Sequence, residues 1–262
     1  MDDSIAISCR GVGKQFYHYE VRTQTLQELF IRWLKRSPTN VRKPLFRLTD
    51  FDLTVRRGET VGLIGPNGSG KSTILRLIAG IYTPTEGTVE THGRLAAVIE
   101  LGAGINPELS GTNNVELYGL VMGLTRRQLR SRFDDIVAFA GIRPFMDMPM
   151  KYYSTGMRAR LAFAVNICLD PDILLIDEVL AVGDKEFRQR CVDHMTRMRQ
   201  EGRTIVLVAH SLPDVLEMCS RAVWLDRGEI QAQGPAEEVV EAYRASKPDL
   251  SVAAGADQGQ KR

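Results

Sequence analysis

The sequence predicts an α/β fold in which helices cover both faces of a parallel β-sheet. Three short apolar runs lead to this prediction: TVGLI (60–64), DILLIDE (172–178) and TIVLVAHS (204–211). Helical patterns separate the runs, and uninterrupted apolar strands between helices are typical of buried parallel sheets. Because ligands of such sheets bind beyond the carboxyl ends of the strands, the polar residues at the end of each run are candidate functional residues.

The bulk composition is that of a globular protein with one large domain or two small ones. The chain has 262 residues, 44% of them hydrophobic and 25% charged. It has no apolar run of membrane-spanning length, and its acidic start does not resemble a secretory signal, so we expect a chain that neither spans a membrane nor leaves the cytosol by itself. A net charge of +2 argues against nucleic acid as a partner.

The cysteines predict neither a disulfide framework nor a zinc site. All four are widely spaced and none forms a CxxC pair, so we expect reduced, buried side chains: Cys9, Cys168, Cys191 and Cys219. Cys191 and His194 have the spacing of half a metal site, but no second half follows. We therefore expect no structural metal.

The first apolar run leads into GPNGSGKS (65–72), which an amphipathic helical pattern follows. Gly65, Gly70, Lys71 and Ser72 have the spacing of a phosphate-binding loop between a strand and a helix. Glycines allow backbone N–H groups to surround phosphate oxygens, the lysine reaches the β- and γ-phosphates, and the serine can bind magnesium. The motif therefore predicts that the α/β fold is that of a P-loop NTPase. The predicted ATP contacts are Gly65, Pro66, Asn67, Gly68, Ser69, Gly70, Lys71, Ser72 and Thr73.

The other two apolar runs end in Asp177, Glu178 and His210. Parallel strands bring their carboxyl ends to one edge, so these residues are expected near Lys71 and Ser72. A magnesium-bound nucleoside triphosphate needs a metal-binding acid, a carboxylate that orients or deprotonates water, and a polar group near the γ-phosphate. Each residue alone is more often a solvated loop residue, but their convergence favours a catalytic site.

The order of these motifs resembles that of the ATP-binding subunits of ABC transporters. The matching segments are GPNGSGKS, YSTGM (153–157), ILLIDE (173–178), AVGD (181–184) and His210, within residues 5–245. The resemblance implies a RecA-like core, an antiparallel β subdomain and a helical subdomain at about 104–157. Within this last part, ELYGLVMGL (116–124) and LRSRFDDIVAFA (129–140) have helical periodicity. A single nucleotide-binding domain would then occupy 1–245, and the small polar residues of 246–262 predict a disordered tail.

The resemblance implies a role for each residue at the predicted edge. Lys71, Glu178 and His210 would be the catalytic residues: Lys71 neutralises charge, Glu178 activates water and His210 positions the γ-phosphate. Asp177 would hold magnesium through water. The implied cofactors are therefore ATP and Mg²⁺.

The resemblance also implies a homodimer in which two copies face each other head to tail. Each ATP would lie between the phosphate loop of one copy and the signature of the other. The implied signature contacts are Ser154, Thr155, Gly156 and Met157, and the implied D-loop acid is Asp184. Ser154 also has the residue type of a helix N-cap, and either role gives a helix N-terminus that suits an anion.

Phe16, in VGKQF, falls where the family places an aromatic ring against adenine. A core aromatic is the alternative, and Tyr17 or Tyr19 could take the adenine contact instead. Stacking depends on geometry that the sequence does not show.

Three positions depart from the family consensus. Thr155 and Met157 replace glycine and glutamine, and Glu100, within VIELGAGINPELSG (98–111), stands where a glutamine is expected and could bind magnesium. These departures resemble the branch that exports polysaccharides such as lipid-linked O-antigen, capsule or teichoic acid. That branch implies two copies of a separate membrane permease, a location at the cytoplasmic face of the inner membrane, and only indirect contact with the polysaccharide.

An insertion before the phosphate loop is a second feature of this branch. TLQELFIRWLKR (25–36) has apolar residues at helical spacing and basic residues beside it. The predicted helix could contact the membrane or the permease, as in polysaccharide exporters, or pack on the sheet of its own chain.

Two other functional classes fit the sequence less well than transport does. Repair ATPases of the ABC type insert long coiled coils and ribosome-acting ones carry two cassettes, whereas this sequence has neither heptad runs nor a second GxxxxGK[ST] motif. A non-catalytic nucleotide-binding module would not need Glu178 and His210. Another exported substrate, such as a lipid or a drug, remains the main alternative.

Overall fold

The computed structural model describes residues 4–19, 42–99, 105–168, 170–177, 184–209 and 211–246. The predicted helix at 25–36 and the predicted tail after residue 246 lie outside the described residues. Within the described ranges, no helix combines the length and the apolar content needed to cross a bilayer.

The strands form two sheets. The smaller sheet is antiparallel, with the order β2-β1-β4: β1 is Ile5–Tyr19, β2 is Arg42–Arg56 and β4 is Glu86–Thr91. The larger sheet has the order β5-β6-β7-β3-β8-β9. Its strands are β3 (Thr60–Ile64), β5 (Leu95–Val98), β6 (Ile173–Asp177), β7 (Thr204–Val208), β8 (Arg221–Asp226) and β9 (Glu229–Pro235). All of its pairings are parallel except the β8–β9 hairpin, so the predicted parallel sheet is confirmed.

Seven α-helices connect these strands in the described part of the chain. They are α1 (Lys71–Ile78), α2 (Gly111–Val121), α3 (Arg126–Ala140), α4 (Thr155–Cys168), α5 (Lys185–Gln200), α6 (Leu212–Met218) and α7 (Ala236–Ala245). Single 3₁₀ turns at Arg143–Phe145 and Met150–Tyr152 lie between α3 and α4. A capping box of Thr125 and Gln128 begins α3, and Gly141 ends it with a left-handed φ of 66°.

The central strands are apolar except at their ends because each of their faces packs into a separate core. In β6, Leu174 and Ile176 belong to a core with α4, α5, α6 and α7. Ile173 and Leu175 belong to a second core with α1 and the antiparallel sheet. Successive side chains of a strand point to opposite faces, so two buried faces require an unbroken apolar run.

A third core holds α2, α3 and one side of α4 together. Val115, Leu129, Ile136 and Leu161 are among its buried members. Because α4 contributes to this core and also, through Phe163, to the core beneath the sheet, it connects the helical layer to the sheet.

The four cysteines are free thiols. Cys9, Cys191 and Cys219 are buried, as predicted, whereas Cys168 is only partly buried. Burial raises the pKa of all four thiols to about 12. No group of three or more metal-ligating side chains occurs among the residues that the structure describes. His194 packs edge-on against the ring of Phe139, with 5.5 Å between the ring centroids.

An ion-pair network closes the edge of the sheet at the amino ends of β5, β6 and β7. Asp172 lies 3.1 Å from an Arg203 nitrogen and 3.5 Å from the Arg94 Nε, and its Oδ2 accepts a hydrogen bond of 2.8 Å from the Arg94 backbone N–H. Arg203 also pairs with Asp170. The backbone hydrogen bond, followed by the two guanidinium charges, lowers the pKa of Asp172 against the opposing effect of burial.

We expect Asp172→Asn to lower the free energy of unfolding by about 1 kcal/mol at pH 7. The folded pKa is below the unfolded value of about 3.9, so the carboxylate stabilises the fold above that value and stops doing so as the pH falls through the folded pKa. Urea unfolding of both proteins between pH 7 and about pH 3 measures the difference. A difference that stays constant across this range would show that the charge of Asp172 does not contribute.

Candidate active site

The predicted phosphate loop connects β3 to α1 and requires glycine at two places. Gly65 has a φ of 144°, and a Cβ there would lie 2.0 Å from the carbonyl oxygen of Leu225. Gly70 has a φ of 110°, and its Cβ would lie 2.9 Å from the ring of Phe46. Left-handed backbone and close contact both exclude other residues. The loop therefore places backbone N–H groups and the amino end of α1 at the carboxyl edge of the sheet.

Lys71 is the first residue of α1 and is only 5% exposed. Its Nζ donates hydrogen bonds of 2.9 Å to the carbonyl oxygens of Gly65 and Pro66. These bonds hold a buried cation against the loop. A buried ammonium beside helix N-terminal N–H groups is an environment that suits a polyanion.

The turn between β8 and β9 braces the loop, which was not predicted from the sequence. Gly228 N–H donates to the Ser69 carbonyl at 3.0 Å, and the Gly228 carbonyl accepts from Thr49 N–H at 3.1 Å. Gly228 has a φ of 84°, and a Cβ there would lie 2.1 Å from the Arg47 carbonyl oxygen. The Arg-Gly pair at the hairpin tip indicates a turn, but only the folded chain shows that the turn contacts the phosphate loop.

Asp177 ends β6 at the same edge of the sheet. It lies opposite Val208 of β7, and Val208 lies opposite Leu63 of β3, so a single strand separates Asp177 from the strand that carries the loop. Its Oδ1 is buried and has no hydrogen-bond partner among the described residues. A buried carboxylate oxygen without a donor fits a hydrated cation at this position, and Ser72 lies in the first turn of α1 at the same edge.

Three predicted site residues, Glu100, Glu178 and His210, lie outside the described residues. The adjacent described positions are Ile99, Asp177 and Ala209. They follow or end β5, β6 and β7, which are parallel neighbours with their carboxyl ends at the edge that carries the phosphate loop. The assignments of these three residues remain predictions.

The signature residues begin α4. Ser154 Oγ accepts a 3.1 Å hydrogen bond from the Met157 N–H, so the interpretation as a helix cap is confirmed. Ser154 and Thr155 are exposed, whereas Gly156 and Met157 are partly buried. Among the described residues, a Cβ at Gly156 would meet only Ser154 Oγ, at 3.9 Å. Packing within the protomer therefore does not require glycine at this position.

Asp184 caps the next helix. Its Oδ1 accepts a 2.8 Å hydrogen bond from the Phe187 N–H at the start of α5, and its Oδ2 lies 3.8 Å from a guanidinium nitrogen of Arg160 on α4. The predicted D-loop acid is thus tied to the helix that carries the signature.

Phe16 belongs to an aromatic cluster next to the phosphate loop. Its ring lies 5.4 Å from that of Tyr82, edge-on, and 6.4 Å from that of Phe46, while the Lys14 ammonium lies 5.5 Å from its centroid. Phe16 therefore packs against its own chain, and Phe46 also contacts Gly70. Tyr17 is exposed, and the side chain of Tyr19 is outside the described set. Both interpretations of Phe16 stay open.

Residues 48–181 match the sequence profile of the family described as ABC transporter. This chain belongs to that family. The family assignment confirms the prediction of an ABC-type ATPase that was made from the order of the motifs.

Proteins named for polysaccharide export are among the most similar relatives. An O-antigen export system ATP-binding protein of Myxococcus xanthus is 43% identical over 91% of this chain, which spans 55% of that protein. One from Klebsiella pneumoniae is 44% identical over 75% of the chain and 80% of its own length. A teichoic acids export ATP-binding protein of Staphylococcus haemolyticus is 34% identical over 97% of the chain and 94% of its own length. The predicted resemblance to the export branch is confirmed.

Solved structures confirm the fold. An ATP-binding subunit of an ABC transporter superposes with a TM-score of 0.71 over 95% of this chain and 98% of its own, at 21% identity. A dimeric ATP-binding cassette in a post-hydrolysis state, bound to ADP and Pi, superposes with a TM-score of 0.67 over 88% of this chain and 98% of its own. At 21% identity these matches establish the P-loop NTPase fold alone.

Proposed function

We propose that this chain is the ATP-hydrolysing subunit that powers export of a lipid-linked polysaccharide through a separate membrane permease. The observation that carries the ATPase chemistry is a braced phosphate loop at the same sheet edge as Asp177, whose buried Oδ1 has no hydrogen-bond partner among the described residues. The export role is supported by the names of the relatives. An O-antigen-like polymer is the first choice of substrate, and a teichoic acid is the second.

Magnesium fits the residues at this edge. Ser72 and Asp177 would hold it, with Glu100 as a further candidate ligand, because hydroxyl and carboxylate oxygens are the ligands that Mg²⁺ prefers. When bound, the ion would neutralise charge on the β- and γ-phosphate oxygens.

The chain's own residues would divide the rest of the chemistry. Backbone N–H groups from Gly65 to Thr73 bind the phosphates, and Lys71 donates to the β- and γ-phosphate oxygens in exchange for its bonds to the loop carbonyls. The Glu178 carboxylate orients the attacking water and accepts its proton, and His210 holds the γ-phosphate in line. Phe16, or a tyrosine next to it in the sequence, contacts adenine.

A second copy of the chain would complete each ATP site. In this proposal, Ser154, Thr155, Gly156 and Met157 of one copy contact the γ-phosphate bound by the other. The amino end of α4 suits this contact for two reasons. Ser154 caps the helix, and among the described residues a Cβ on Gly156 would meet only Ser154 Oγ, at 3.9 Å. Asp184, at the start of α5, would lie beside the same interface.

The proposed assembly has two copies of this chain and two of the permease at the cytoplasmic face of the inner membrane. Residues 1–245 would form a single nucleotide-binding domain, with the helical subdomain at about 104–157 next to the permease. The segment 25–36 would contact the permease, the membrane or the sheet of its own chain. The polysaccharide would touch the permease and not this chain, and nucleic acid would have no part.

Replacing the chromosomal gene with one that encodes a hydrolysis-deficient variant tests the export role. The surface polymer is expected to disappear and its lipid-linked form to accumulate inside the cell, because assembly continues while transport stops. The wild-type gene on a plasmid should restore both. Unchanged surface polymer in the variant strain would contradict the role in polysaccharide export.

A further inference from the structure

The segment that leads into the signature is hydrogen-bonded to a loop that lies forty residues earlier in the chain. We call residues 149–153 the approach segment and residues 105–110 the bracing loop. Met150 N–H donates to the Leu109 carbonyl at 2.9 Å, and Lys151 N–H donates to the Pro107 carbonyl at 2.8 Å. An antiparallel bridge joins Ser110 to Pro149. The two segments therefore form a small two-stranded unit directly before Ser154.

A single buried amide holds the bracing loop in this conformation. Asn114, in the first turns of α2, is only 4% exposed. Its Oδ1 accepts from the Asn106 N–H at 2.8 Å, and its Nδ2 donates to the carbonyl oxygens of Asn106, Leu109 and Ser110 at 2.9, 3.1 and 2.9 Å. These contacts connect both ends of the bracing loop to the first turns of α2, and a displaced loop would leave the buried amide of Asn114 without these partners.

The approach segment is held just as firmly at its other end. Tyr153, the residue before Ser154, is buried, and its hydroxyl donates to the Phe145 carbonyl at 2.6 Å. The ring lies against the start of α2, where a Cβ on Gly111 would be 2.3 Å from the Tyr153 oxygen. Burial raises the pKa of Tyr153, so the hydroxyl stays protonated and remains a donor near neutral pH. Outside this core, the exposed side chains of Glu108 and Lys151 pair at 2.8 Å.

We propose that Asn114 is a positioning residue that sets the place of the signature through the bracing loop and the approach segment. This inference rests on the proposed function, in which the signature contacts the ATP of the partner copy. Hydrogen bonds connect the bracing loop to the approach segment, which directly precedes Ser154. A displacement of the bracing loop would therefore also move Ser154 and Gly156. Among the described residues, the Asn114 side chain hydrogen-bonds to the bracing loop and not to the phosphate loop.

The test compares two buried asparagines of the same helical layer. Asn166, on α4, is 5% exposed and bonds to the Ala162 carbonyl and the Tyr118 hydroxyl at 2.8 and 3.0 Å, but it does not contact the bracing loop. Asn114→Ala is expected to lower kcat by about 10- to 100-fold, as a misplacement of about 1 Å does in other sites. Asn166→Ala, with a similar loss of stability in urea, is expected to keep kcat within about twofold.

Nucleotide affinity distinguishes a misplaced signature from a general loss of protein structure. The Asn114→Ala protomer should bind a fluorescent ATP analogue within about twofold of wild type, because its phosphate loop is unchanged. The ATP concentration needed for dimerisation should rise in the Asn114 variant and not in the Asn166 variant. Equal loss of kcat in both variants, or in neither, would overturn the positioning role. A wild-type protein that neither hydrolyses ATP nor dimerises would instead remove the proposed function itself.

The exposed ion pair offers a second test if Asn114→Ala does not fold. Glu108→Lys and Lys151→Glu each place like charges across the bracing loop and the approach segment, while an exposed pair contributes little to stability. Each single variant is expected to lower kcat by about threefold or more, and the double swap is expected to restore it. Single variants with wild-type kcat, or a double swap that does not recover, would overturn the coupling.

Discussion

Replacing Glu178 with glutamine is expected to lower ATP turnover by about 10²- to 10⁴-fold, which is the usual contribution of a general base. The amide has nearly the same shape but cannot accept a proton from the attacking water. Nucleotide affinity should persist, because binding depends on the phosphate loop and Lys71. Phosphate release at saturating ATP measures turnover, and a fluorescent ATP analogue measures affinity.

Glu186→Gln is the matched control for this variant. Glu186 lies on the first turn of α5 with 85% of its side chain exposed, and its contact with Arg190 is 4.0 Å long. The control removes one carboxylate close to Glu178 in sequence and should leave turnover unchanged. If Glu178→Gln hydrolyses ATP at the rate of the control, Glu178 is not the base.

Lys71→Ala is expected to weaken nucleotide binding and to lower turnover by about 10²- to 10³-fold, as the loss of one preorganised donor to a developing charge does elsewhere. The physical reason is the burial of the ammonium, which is 5% exposed and lies against the Gly65 and Pro66 carbonyls. Inside the loop, its charge is poorly screened by water and acts strongly on a bound phosphate. Titration with the fluorescent analogue and phosphate release are the two measurements.

Lys71→Arg tests whether a positive charge at this position is sufficient or whether the smaller size of the lysine ammonium is also needed. The larger guanidinium keeps the positive charge but does not have room at a position enclosed by loop carbonyls, so we expect turnover as low as in the alanine variant. Thermal unfolding of both variants checks that the fold persists. Turnover within about twofold of wild type in Lys71→Ala would show that this lysine does not act on the transferred phosphate.

Sequence periodicity was sufficient to locate three strands of the parallel sheet, β3, β6 and β7, but not β5. TVGLI was predicted as a strand and forms β3 over the same residues, Thr60–Ile64. The strand predicted from DILLIDE forms over Ile173–Asp177 as β6, whereas Asp172 precedes the strand and belongs to the ion-pair network. Local pattern predicts these elements because burial on both faces demands apolar residues at successive positions.

Helices α2 and α3 were also predicted from the sequence, but the residues at which they begin were predicted less accurately. LRSRFDDIVAFA predicted the helix α3, which begins three residues earlier at Arg126 behind the Thr125 cap. ELYGLVMGL predicted α2, which begins five residues earlier, at Gly111, behind the Ser110 cap. Capping side chains determine a helix start, and the apolar pattern alone does not show them.

Contacts between distant segments were beyond sequence reasoning. Gly228 braces Ser69 across more than 150 residues, and Asn114 organises a loop that then pairs with residues before the signature. Glycine and asparagine are common in turns and at surface positions, so the residue type alone does not predict these contacts. Their importance comes from a tertiary hydrogen bond or a close approach, which only the folded chain defines.

In the proposed assembly, two copies of the chain close around ATP. Light scattering of the Glu178→Gln protein in saturating Mg-ATP measures this directly, since slow hydrolysis would hold the closed state. We expect twice the protomer mass with ATP, the protomer mass with ADP, and no ATP-driven dimer when Gly156→Asp is added. A Glu178→Gln protein that binds ATP fully and keeps the protomer mass would contradict it.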